Sequence, residues 1–427
     1  MDDSILALLI LLVIIISFSF QKIPMGITAV LGSIAMALFG LMDYEDVFSG
    51  FSNDTVLMVI GMLILGNAFT ETGLSQVLGK TILKIKFVQN NERLFLAVVL
   101  IFVSIFGFFL PNTAVVAIFL PLVASVAQAS GGVITKKNTY MAIGITAVVS
   151  GNLTLISSTP QMAAQAILTQ TEGVRPLEFF DLTKAAVPMV ILTIIYFCTI
   201  GYDLSLKVFD FEEVDGAVYK SKEVTIDREQ IIKMVICGVV FIVTLVSFIL
   251  NKLPLGIISI LAASILISTK CISFNRAMET LDWNTVLVIA GALGFSTGIE
   301  KSGAIDLLAS GIMYLAGGDS ASPYLIFAVL VIASSLLSTT MSNTATALIM
   351  TPMAITIAST LGLNPTTLVI GVIFGCNYDF ATPIGTPPMT MTLTGGYRFN
   401  DYVKVGGTFN ILVLIVTIIL LPLIYGF

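Results

Sequence analysis

Residues 52–73 read SNDTVLMVIGMLILGNAFTETG, and residues 282–303 read DWNTVLVIAGALGFSTGIEKSG. Set against each other at an offset of 230, they share Thr55/Thr285, Gly61/Gly291 and Gly73/Gly303. Three more blocks recur in the same order. QKIPMGI (21–27) returns as NKLPLGI (251–257), PNTAVVAIFLPLV (111–123) as SNTATALIMTPMA (342–354), and STPQM (158–162) as GTPPM (385–389). Any two apolar helices share Leu and Ile. They have no reason to share Lys-x-Pro-x-Gly, Asn-Thr and Thr-Pro at a nearly constant offset, so the chain is one unit written twice.

The composition says where that unit lives. Of 427 residues, 57% are apolar and 11% charged, whereas soluble domains carry about 25% charged residues. The apolar residues fall in blocks of roughly 17 to 22, long enough as helices to cross a hydrocarbon core of about 30 Å. The N-terminal MDDSILALLI has no basic leader and no small-residue cleavage site, and reads as a first span. A net charge of −6 without charge runs gives no footprint for a nucleic acid. Histidine is absent, which excludes His metal ligands and Ser-His or Cys-His nucleophile pairs. Cys198, Cys237, Cys271 and Cys376 are scattered through apolar segments and read as core residues. With no paired acidic motif or activated nucleophile, an enzyme is not expected.

The expected fold is an all-α integral membrane protein of two inverted-topology repeats, each with five spanning helices and one re-entrant hairpin. The first repeat, 1–205, holds a cytoplasm-opening hairpin at 92–130 and a broken helix at 139–170. A cytoplasmic linker, 206–228, leads to the second repeat, 229–427, with an outside-opening hairpin at 323–360 and a broken helix at 366–395. Five is odd, so the second copy sits upside down. The positive-inside bias agrees. Lys22, Lys80, Lys84, Lys86, Arg93, Lys136, Lys137, Lys207, Lys220, Lys222, Arg228, Lys233, Lys270, Arg276, Arg398 and Lys404 fall inside, against Arg175, Lys184, Lys252 and Lys301 outside. Both termini are then outside the cytoplasm, in a multi-pass protein of the cell (inner) membrane. The second leg of the first hairpin, Thr113 to Val126, is expected to be too short for a full crossing.

All these cations lie in loops or at span ends, so a site at mid-membrane contains no Lys or Arg. Polar residues inside the apolar blocks concentrate at Pro111-Asn112-Thr113, at Ser342-Asn343-Thr344, and at two Thr-Pro breaks, Asn152–Pro160 and Asn377–Pro388. Half-helices starting there present free N–H groups and a positive dipole end to an anion. Freed carbonyls with Asn and Ser oxygens suit a small hard cation. Asp379 is a carboxylate deep in an apolar block, and by its distance from a Thr-Pro step its repeat mate is Asn152; the two are candidate coupling residues, as a cation ligand or a titrating group. Ser334, Ser335, Thr339 and Thr340 are expected merely to bond their own helix carbonyls.

At these residues the chain resembles the divalent anion/sodium symporters, which carry dicarboxylates, citrate or sulfate and belong to the ion-transporter superfamily. The resemblance runs from about residue 21 to 425, and is most specific at MSNTAT (341–346) and ATPIGTPP (381–388), with PNTAV and LISSTPQ as weaker echoes. It implies a homodimer working as an elevator, coupling one or two Na+ ions to a small anion, dicarboxylate before sulfate or another oxyanion. It assigns substrate contacts to Asn112, Thr113, Thr159, Ser342, Asn343, Thr344 and Thr386. The sodium ligands it implies are Asn112 and Ser158 at a first site, and Ser338, Met341, Asn343 and Gly385 at a second. Gly107 and Pro111 stand where the family has serines, so the first site is short of two oxygens. A proton-coupled anion transporter or a cation/proton antiporter of the same superfamily, working through Asp379, is the alternative.

Overall fold

A computed structural model describes residues 2–20, 22–74, 77, 91–130, 132–211, 227–250, 252–317, 322–383 and 385–427. Every regular element among them is helical. The first copy comprises α1 (Asp3–Phe20), α2 (Met25–Leu38), α3 (Asp54–Glu71), α4 (Glu92–Gly107), α5 (Asn112–Ala129), α6 (Lys136–Ser150), α7 (Thr159–Gln170) and α8 (Thr183–Cys198). A 47° bend joins α8 to α9 (Ile200–Val208). The second copy comprises α10 (Arg228–Leu250), α11 (Leu255–Ser268), α12 (Phe274–Thr280), α13 (Trp283–Lys301), α14 (Ala304–Leu315), α15 (Pro323–Ser338), α16 (Asn343–Leu361), α17 (Pro365–Asn377), α18 (Pro387–Thr392) and α19 (Phe399–Tyr425). Linker residues 212–226, the amphipathic end of the third span beyond Val77, and Lys80, Lys84, Lys86, Lys220 and Lys222 lie outside the described residues. Among the described residues, α1, α3, α10, α16 and α19 are long and apolar enough to span a bilayer singly, and the α8–α9 pair does so together. Shorter apolar helices supply the rest.

The repeated motifs are spent on one contact made twice. Pro24 and Pro254 precede α2 and α11, where a fixed φ suits a helix start and no N–H is needed. The N–H of Gly26 donates to Asn284 Oδ1 at 2.9 Å, and that of Gly256 donates to Asp54 Oδ1 at 3.1 Å. Thus α2 packs on α13 of the other copy and α11 packs on α3. At the crossings a Cβ on Gly61 would lie 2.4 Å from the Ser259 carbonyl carbon, and one on Gly291 2.7 Å from the Val30 nitrogen. Small residues are what let helices without an aqueous driving force approach so closely. This is why Gly61 and Gly291 recur in both copies.

Helices α6 and α17 occupy the centre. From Asn138 to Ser150, and from Thr367 to Asn377, every residue is buried, as a helix enclosed on all sides requires. Each stops at a break and resumes as α7 or α18. The hairpins α4–α5 and α15–α16 bring their tips against these breaks: the Phe108 carbonyl accepts from Thr154 and Ser157 at 3.0 Å each, and Ser338 donates to the Cys376 carbonyl at 2.6 Å. Helix α5 has 18 residues, about 27 Å of rise, longer than the 14 residues expected for this leg but still among the shorter apolar helices.

Candidate functional site

Four helix starts, those of α5, α7, α16 and α18, border one cavity of about 370 Å³. Its wall includes Asn112, Thr113, Thr159, Ser342, Asn343, Thr344 and Thr386, the complete set of residues assigned to substrate from sequence. Ser158 and Gly385 also face it, while Ser338 and Met341 lie buried behind the second tip. Among the described residues no Lys or Arg lines the cavity, and Asp282, the one charged lining residue among them, sits at an exposed helix cap.

Local chemistry explains why these starts are open. Ser342 caps α16, its hydroxyl accepting the Ala345 N–H at 3.2 Å. Pro111, Ser158 and Thr386 at the other starts make no side-chain cap. Helices α5, α7 and α16, with 18, 12 and 19 residues, are long enough for their dipoles to place positive potential at their first turns. Backbone alone thus places positive potential at these first turns, where N–H groups and hydroxyls can meet an anion.

Hydrogen bonds knit the four places together across the two copies. Thr344 donates to Thr159 Oγ1 at 2.6 Å, joining the second tip to the first break. Asn377 Nδ2 donates to Asn152 Oδ1 at 2.7 Å and to Gln161 Oε1 at 3.3 Å, and Asn377 Oδ1 accepts from Ser158 at 3.1 Å, joining the two breaks. The side chain that meets Asn152 is therefore Asn377, not Asp379. At the second tip, the Ser338 hydroxyl lies 2.6 Å from both Asn343 Oδ1 and the Cys376 carbonyl, a cluster of hard oxygens. At the first tip, the Asn112 amide nitrogen donates to the carbonyls of Ala147 at 3.1 Å and Ser157 at 3.3 Å. Opposite Gly107 stands Ser150, whose Oγ is 2.0 Å from where a Cβ on that glycine would be. The space that a serine at 107 would use is already filled by a hydroxyl from α6.

Asp379 is fully buried, and neither carboxylate oxygen has a hydrogen-bond partner among the described residues. Its Oδ2 packs on Gly385, 1.6 Å from where a Cβ there would project. Ser334, Thr339 and Thr340 bond carbonyls of their own helical turn as expected. Ser335 does not: its hydroxyl crosses to the Tyr378 carbonyl at 2.5 Å and fixes the second break. Sequence reading also missed the wall facing the tips, formed by Gly66 and Asn67 of α3 and by Asn284 and Thr285 of α13. Asn67 carried a signal, being an amide within an apolar helix.

Broken helices buried at the centre, and between them a cavity with no basic side chain among the described residues, define a multi-pass membrane transporter. The chain matches the citrate transporter family over residues 10–318 and 312–427, and it belongs to that family of membrane transporters, which are not enzymes. It is 21% identical to the uncharacterized transporter YfbS of Escherichia coli, with 98% of each chain covered. It is 23% identical to the sodium-dependent dicarboxylate transporter SdcS of Staphylococcus aureus, over 95% of this chain and 84% of that one. The crystal structure of the Alcanivorax borkumensis YdaH transporter, described as having an unusual topology, superposes with a TM-score of 0.63 over 100% of this chain and 98% of that one. At 14% identity that likeness is one of fold.

Proposed function

We propose that the chain is a sodium-coupled symporter of a small divalent anion, a dicarboxylate before sulfate or another oxyanion. One observation carries this reading: residues from both tips and both breaks meet around a cavity of about 370 Å³ that offers helix starts and hydroxyls but, among the described residues, no basic side chain. A dianion held this way lacks a fixed countercharge, and a co-transported cation supplies one. The oxygen cluster of Ser338, Asn343 and the Cys376 carbonyl, with backbone at Met341 and Gly385, fits a sodium ion as second-half co-substrate. Asn112 and the Ser158 carbonyl are its counterparts in the first half. Substrate carboxylates fall to Asn112, Thr113 and Thr159 at one end, and to Ser342, Asn343, Thr344 and Thr386 at the other. The name of the Staphylococcus aureus relative supports both the sodium and the dicarboxylate.

In the same reading, repeats 1–205 and 229–427 are inverted in the membrane with both termini outside, and the hairpins and broken helices move together as an elevator within a homodimer. The test is uptake of labelled succinate into proteoliposomes under a sodium gradient. Asn343→Ala and Thr386→Ala abolish it while leaving the purified protein monodisperse. A thermal-shift panel of dicarboxylates, sulfate and monocarboxylates, each with sodium or choline, reads the ligand directly, since a ligand selective for the folded state raises Tm. Wild-type uptake by both variants, or equal Tm shifts in sodium and choline, refutes the reading.

A further inference from the structure

We propose that Asp379 is the anionic ligand of the coupling cation in the second half, so that this site is set into the break itself, behind Gly385. The inference deepens the sodium-coupled reading and rests on it. The carboxylate is fully buried with both oxygens unpartnered among the described residues, and an ionised group so placed is costly unless a cation meets it. It is not alone. Along the same loop the hydroxyl oxygen of Thr382 is also buried without a partner among the described residues, so three oxygens within four residues are open to a cation. The neighbouring Tyr378 carbonyl already accepts from the Ser335 hydroxyl. What remains is a set of hard oxygen ligands with one full negative charge, the donor chemistry of a small monovalent or divalent cation.

Position gives this ligand a role. Gly385 lines the anion cavity on one face and carries Asp379 Oδ2 on the other. One backbone residue therefore separates the carboxylate from a bound anion. With the carboxylate bare, two negative charges share a low-dielectric wall and repel; with a cation on it, the wall turns favourable to the anion. Cation and anion thereby raise each other's affinity, as reciprocal linkage requires. A side chain at 385 would push the carboxylate out of its present place, since Oδ2 lies 1.6 Å from the Cβ position.

The experiment is a sodium titration of Tm at constant ionic strength, choline chloride replacing sodium chloride, on the wild type, Asp379→Asn, Asp379→Ala and Asn343→Ala. The expected result is a saturable rise in the wild type whose midpoint moves to at least about tenfold higher sodium in either Asp379 variant, equivalent to about 1.4 kcal/mol. A wild-type midpoint in a folded Asp379 variant, with the response lost in Asn343→Ala, overturns the role of Asp379 and leaves sodium coupling standing. No sodium response in the wild type overturns both. Should neither Asp379 variant fold, a map of the wild type in thallium(I) decides: a peak in ligand distance of Asp379 supports the site, and a peak confined to Ser338 and Asn343 overturns it.

Discussion

Gly107→Ser introduces the serine that the family resemblance implies four residues before the first tip, and here it destabilises the protein. A Cβ at 107 would lie 2.0 Å from Ser150 Oγ and 2.9 Å from Ser150 Cβ. Ser150 is fully buried on α6, with its hydroxyl bonded to the Ala147 carbonyl at 3.1 Å, so it has no empty space into which to swing. Forcing atoms into such a packed contact costs about 1–3 kcal/mol. Ser150→Gly removes the obstacle, and alone it costs roughly 0.5–1 kcal/mol for glycine near a helix end. The two sites share one volume, so the double variant is more stable than the sum of the singles by about 1–3 kcal/mol. Apparent Tm of the four proteins, measured side by side in one detergent, gives the test. Gly107→Ser melts lowest, and adding Ser150→Gly raises it. A single variant that melts with the wild type, or a double variant no better than Gly107→Ser, refutes the idea that α6 has taken over the hydroxyl of the tip.

Gly61→Ala places a methyl 2.4 Å from the Ser259 backbone, which cannot retreat without parting α3 from α11, and costs about 1–3 kcal/mol; size-exclusion chromatography shows a reduced monodisperse peak. Gly311→Ala is the control, since nothing lies within 4 Å of its Cβ and a helical alanine gains about 0.5–1 kcal/mol over glycine; an equal loss in both would dissociate the effect from the crossing. Asn377→Leu strips Asn152 Oδ1 and Ser158 of the partner that bridges the two breaks, an orphaning worth about 1–3 kcal/mol; an unchanged Tm would mean that the bridge holds nothing.

The sequence is most informative where a residue type is out of place. Asn112, Asn343, Thr159-Pro160 and Thr386-Pro387 are polar or helix-breaking in an apolar setting, and all of them border the cavity. Gly61 and Gly291 are recoverable from the repeat because a backbone contact admits no other residue. Serines 334 and 335 mark the limit. They are adjacent and identical in type, yet one bonds Leu330 of its own helix and the other the Tyr378 carbonyl of a distant break. Only the neighbour across the interface distinguishes them. Asn284 was passed over for the same reason: beside the Asp282 cap it reads as helix-start chemistry, whereas its side chain accepts from Gly26 in the other copy.

The missing basic side chain is the informative absence in this cavity's described wall. A lysine or arginine held at bilayer depth costs several kcal/mol and keeps its charge after an anion leaves, so the emptied site must cross the membrane as a buried cation. Helix starts avoid that: their partial charges are fixed by the fold and carry no net charge. The remaining charge must then travel with the cargo. On the proposed reading, sodium fills that part and departs with the anion, and Asp379, whose buried carboxylate has no partner among the described residues, ties the two departures together. An arginine introduced at Thr159, where the wall already holds the Thr344 hydroxyl, separates the two designs. It strengthens anion binding without sodium and stalls net uptake if the countercharge has to move, and it leaves the sodium requirement untouched if it does not.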